Sequence, residues 1–147
     1  APGDDTIASN AGAAWVLSSS SSLAALSPYG SGLAGTLGLP TLDVVGSPSL
    51  GTVMQVVLGS ASPSTVPALL ALGVAPVSLA FKGGTLLVDP LLLLGLSLPP
   101  GSTQLPTSVP NDPSLLGLDT YAQLWHGDGG APHGVALSAG LKLTFGD

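Results

Sequence analysis

The chain has no cysteine, no glutamate and no arginine; its charged residues are eight aspartates and two lysines, Lys82 and Lys142. Without cysteine there is no disulfide, no thiolate zinc site and no thiol nucleophile. Without arginine, and with a formal net charge of −6, there is no basic patch to hold phosphates. Nucleic acid and anionic membrane surfaces are therefore excluded as natural partners. Aromatic residues make up only 4% of the chain, so rings for stacking are few. The longest apolar run, PLLLLGLSLPP at residues 90–100, falls well short of the ~18 residues a membrane helix needs. The opening residues, APGDD, suit the mature end left by a removed signal peptide. The expectation is a secreted protein, extracellular or at the cell surface, with no membrane span.

What is present is glycine and proline, 21 and 14 residues spread along 147 positions. Few windows between them could hold a helix of ordinary length. The clearest periodicity is at the end, where Val135, Leu137, Ala139, Leu141, Leu143 and Phe145 alternate with small or polar residues. A period of two predicts one strand with all six side chains on a buried face. Residues 41–45, 51–58, 67–73, 76–81, 84–89, 91–98 and 118–126 also read as strands, each bounded by turn-forming residues. The fold class expected is all-β: an antiparallel sandwich of about eight strands, Ig-like or jelly-roll. The leucine run at 91–98 is expected to be a strand buried on both faces, because Pro90, Gly95 and Pro99 leave no room for a stable helix. In NDPSLLG, residues 111–117, Asn111 or Asp112 is placed to cap a single helical turn opened by Pro113 and closed by Gly117. Residues 1–28 are rich in serine, glycine and alanine and read as an N-terminal extension, leaving 29–147 as the sandwich domain.

Residues 29–59, beginning YGSGLAG and including GSPSLG, together with VPNDPSLLGLDTYAQLW at 109–125 and ALSAGLKLTFG at 136–146, resemble an uncharacterised C-terminal β-rich module of large secreted proteins from environmental bacteria. That module often has cysteine after the opening glycines, where this chain has Leu33. The resemblance implies an extracellular β-rich domain and carries no catalytic residues with it.

The motifs that could carry chemistry are weak. GSGLAG at residues 30–35 fits the spacing of a dinucleotide loop, but Gly38 and Pro40 break the helix such a loop must open, so it reads as a glycine-rich turn. His126, Asp128 and His133 in HGDGGAPH could offer a metal two imidazoles and a carboxylate, yet a glycine-rich loop holds them loosely. They read as a solvated loop, with no metal and no cofactor expected. The nearest approach to a hydrolase elbow, ALSAG at 136–140, lies inside a strand pattern. With no glutamate and no distinctive aspartate pair, the chain does not read as an enzyme.

A sandwich with so few charges lacks the guards that keep sheet edges from pairing. Self-association is the expected use of such a surface, with the extension as a strand added to a neighbour's sheet edge and Trp15, Val16, Leu17, Leu23 and Leu26 as anchors. The function expected is a structural protein whose partner is itself, building an extracellular filament, tube or lattice. The alternative is a surface adhesion or carbohydrate-binding module that stacks polysaccharide on Tyr121 and Trp125.

Overall fold

A computed structural model describes residues 23–147. Among them are eleven strands: β1 (Ala25–Tyr29), β2 (Thr41–Val45), β3 (Val53–Gly59), β4 (Val66–Gly73), β5 (Pro76–Phe81), β6 (Gly84–Val88), β7 (Leu92–Leu98), β8 (Ser102–Ser108), β9 (Asp119–Gly127), β10 (Val135–Leu137) and β11 (Gly140–Thr144). The one helical turn, a 3-10 turn at Pro113–Leu115, has the geometry expected: the Asp112 carboxylate accepts from the Ser114 amide. That bond, and further contact with Ser114, hold the Asp112 carboxyl below its ordinary value. Gly117, at φ 77°, turns the chain out toward β9.

The strands make three layers. A six-stranded sheet runs β1-β11-β9-β4-β7, with β10 also paired to β9; a three-stranded sheet runs β2-β3-β8; β5 and β6 form a hairpin of their own. All the strand ladders are antiparallel. The three-stranded sheet packs on one face of the larger sheet, and Val44, Met54 and Leu58 meet Leu70, Leu98, Leu124, Leu141 and Leu143 in the main core. The hairpin covers part of the other face, where Phe81 and Leu86 pack on Ala71, Trp125 and Leu137. The fold is thus an antiparallel all-β sandwich, with a hairpin as a third layer.

Several expectations need correction. The terminal alternation is two strands, not one. Trp125 pairs with Leu137 but Ala122 pairs with Leu141, so two residues of β9 face three of the partner between them. That extra residue is a bulge, and it reverses which side chains face which way. Val135 and Leu137 therefore face the hairpin, whereas Leu141, Leu143 and Phe145 face the main core. Ser138 seals the break: its backbone amide donates to the Leu124 carbonyl, while its hydroxyl accepts from the Leu124 amide.

The domain edge also moves. Residues 25–28, assigned above to the extension, belong to β1, which pairs with β11 in register Leu26↔Leu143. Leu26 is half-buried against the main core of its own chain. β8 has no apolar alternation to mark it in the sequence, since its inward positions are Thr103, Leu105 and Thr107 and it contains Pro106.

Candidate functional site

β7 is a strand, as the punctuation of the leucine run predicts, but it is not buried on both faces. Among the described residues its only partner is β4, so it forms an edge of the six-stranded sheet. Leu91, Leu92, Leu93 and Leu94 are 72%, 56%, 47% and 45% exposed. Of the other outer strands of the two larger sheets, β1, β2 and β8 carry residues that discourage pairing, Pro28, Asp43 and Pro106, and the short β10 is bridged by Leu33 at Leu137. Proline removes an amide from the open edge, and a charge resists being covered. β7 contains neither, and no charged residue occurs anywhere from 90 to 111. Among the described residues it is the one outer strand of these sheets with neither guard nor cover.

Beside that edge the two larger sheets leave a cleft of about 580 Å³ between them. Leu70, Leu72, Ala122, Leu141 and Leu143 form one wall, Leu42, Met54, Val56 and Leu105 the other, and Phe145 lies among them. Val74, Leu91 and Leu92, all exposed, stand at its rim. Among the described residues its polar side chains are the hydroxyls of Thr107 and Thr120, and none that line it is charged.

The opposite face of β9 is polar in a directed way. Gln123 is fully buried, and its amide donates to the Thr85 and Ser138 carbonyls while its oxygen accepts from the Leu87 amide and the Trp125 indole. The side chain thereby engages Thr85 and Leu87 two positions apart, as a neighbouring strand would. The Tyr29 hydroxyl donates to the Leu87 carbonyl at 2.6 Å. Burial, with Tyr121 alongside, pushes its pKa up to about 12, so it stays a donor. Gly140 permits this arrangement, because a Cβ there would strike the Tyr29 ring.

The two aromatic residues proposed as sugar platforms are used for packing. Trp125 is 8% exposed and its ring lies 4.9 Å from that of Phe81, while Tyr121 meets Tyr29 edge to face at 5.7 Å. The burial of Trp125 removes the open ring face that stacking requires. A shallower groove of about 610 Å³ runs past Phe81, Leu69, Leu96 and the edge of Trp125, with Lys82 at its margin.

His126, Asp128 and His133 do not converge. Buried His126 accepts at Nε2 from the Ala61 amide and pairs at Nδ1 with the Gly127 carbonyl, which places the proton on Nδ1. Asp128 accepts from the Thr36 amide and hydroxyl and from the Gly130 amide. Burial alone would raise its pKa, but those hydrogen bonds outweigh it and hold the carboxyl below its ordinary value. His133 is exposed. Among the described residues no group of three or more His, Cys, Asp or Glu is placed to hold a metal. The GSGLAG segment is a connecting loop, bridged at Leu33 to Leu137. Gly35 is required where it is, since a Cβ would collide with the Asp128 carboxylate.

Of the expected assembly anchors, Trp15, Val16 and Leu17 lie outside the described residues, Leu23 is exposed, and Leu26 is engaged in β1. No helix among the described residues is long and apolar enough to cross a membrane. Comparison with protein families, curated proteins and solved structures finds no match.

Proposed function

We propose that this chain is a secreted structural protein that assembles with copies of itself into an extracellular filament, tube or lattice. In this reading the N-terminal extension of one copy adds as a strand to the sheet edge of the next. The observation that carries it is the β7 edge: exposed Leu91 leads into exposed Leu92, Leu93 and Leu94 on a strand whose second side has no partner among the described residues, with no charge and no proline. An edge of that kind is a ready template for another strand, and monomeric proteins usually blunt it. Exposed Leu23 and the Trp15, Val16 and Leu17 segment before it supply apolar anchors. Donation of one copy's segment to another copy's edge is head to tail, which yields rings or open filaments.

The test is electron microscopy and light scattering on the full chain and two variants. Leu93→Lys gives β7 the missing guard, and Trp15→Ser with Leu17→Ser removes the anchors. Ordered assemblies of the native chain should be lost in both, with the folded monomer remaining. A native chain that is monodisperse and monomeric, or variants that assemble as it does, would refute the reading.

A further inference from the structure

We infer that the cleft between the two larger sheets is a binding site for an uncharged, elongated apolar molecule. This rests on the cleft alone and not on self-assembly. Protein interiors pack with few voids larger than a water molecule, so a gap of about 580 Å³ between two sheets is no ordinary packing fault. It falls within the roughly 300–1,000 Å³ typical of ligand pockets, and its lining is apolar as theirs is.

The sequence makes the gap in an identifiable way. Register places Leu92, Leu72, Ala122 and Leu141 side by side across four strands, a row about 14 Å long at the usual strand spacing. Three of the four are leucine; the central strand carries alanine. Opposite stand Met54 and Val56, and the lengths of the two sets of side chains do not close the space. The result is a slot open at the Leu91 and Val74 rim and running in toward Phe145.

Charge selects the occupant. Neither lysine lines the slot: Lys142 pairs with Asp119, and Lys82 lies beside the groove on the other face. Exposed Asp89 adjoins the residues of the rim, and the chain as a whole is negative. An anionic head group would be repelled at the rim by Asp89, and a charge of either sign inside the slot meets no opposite charge among the described lining residues. The two threonine hydroxyls suit at most a neutral polar end such as an alcohol.

The probe is N-phenyl-1-naphthylamine, a neutral fluorophore, titrated into the full-length chain. Saturable binding at one site per chain is expected, with displacement by 1-dodecanol more effective than by dodecanoate. Ala122→Leu fills the slot from the large sheet and should weaken binding at least about tenfold while the cooperative melt is kept. Val56→Phe fills it from the other sheet and should do the same, which covers the case in which either variant fails to fold. Leu93→Lys alters β7 on the side away from the slot and should leave affinity unchanged. The inference is overturned if the probe binds without saturation, if filling the slot has no effect, or if Leu93→Lys weakens binding as much. It is equally overturned if binding appears only after Trp15→Ser with Leu17→Ser, since the chain's own segment would then be the occupant.

Discussion

On one side of β9, Ala122 and Leu124 meet apolar side chains of the facing sheet; on the other, Gln123 and Trp125 meet the hairpin through hydrogen bonds as well as packing. The two sides solve different problems. A sheet laid on a sheet offers many leucines, and hydrophobic burial is non-directional, so contact can be strong while a slot stays open. A two-stranded hairpin brings little apolar area and is marginal by itself. It needs contacts that fix its position, and the Gln123 amide and the Tyr29 hydroxyl supply them at Thr85 and Leu87. A slot between two sheets is therefore tolerated where cohesion is apolar, whereas directed hydrogen bonds fix the hairpin at Thr85 and Leu87.

The apolar side should suffer most from a charge. Leu141→Asp puts a carboxylate among Leu70, Leu124 and Leu143 with no described partner, and should cost about 3–5 kcal/mol or abolish folding. Lys142, one residue on and pointing away, serves as the control. Gln123→Ala attacks the polar side. It strands the Leu87 amide, the Thr85 and Ser138 carbonyls and the Trp125 indole, for a cost of about 2–4 kcal/mol. Urea unfolding measures both. Hydrogen exchange should separate them further, with Gln123→Ala releasing residues 76–88 selectively and any folded Leu141→Asp loosening both large sheets. A uniform response to the two would remove the distinction between the sides.

This division was only half legible in the sequence. Alternation marked most strands correctly, including β5, whose bounds match the expectation at both ends. It failed at β8, where threonines take inward positions, and at β1, whose ALSPY has the composition of a linker. At residues 135–146 the pattern was real but the bulge was invisible, because an extra residue opposite β9 changes facing without changing which residues are apolar. The leucine run was visible too, and its flanking prolines gave its length. Its place at the edge depended on sheet order, which no local pattern encodes. Gln123 reads as an ordinary exposed strand residue until β6 is set beside it.

The gentlest test of the polar side uses acid. Asp128 joins the loop after β9 to the loop before β2 by accepting three hydrogen bonds, two from Thr36 and one from Gly130. Its folded-state pKa is depressed: burial opposes the charge, but the Thr36 and Gly130 bonds prevail. A depressed acid binds its proton more weakly folded than unfolded, so its contribution is complete above the ordinary carboxyl value of 3.8 and is lost as pH falls below it toward the folded value. Asp128→Asn keeps the shape but turns one acceptor into a donor facing backbone amides, and should cost about 1 kcal/mol at neutral pH. Below 3.8 the gap between the two proteins should narrow, because the native chain is then losing what the variant never had. Asp112, also depressed by Ser114, titrates identically in both and cancels from the difference. Parallel stability curves down through the acid range would mean that the Asp128 charge contributes nothing to holding the loops, and that the directed contacts of this side are neutral ones alone.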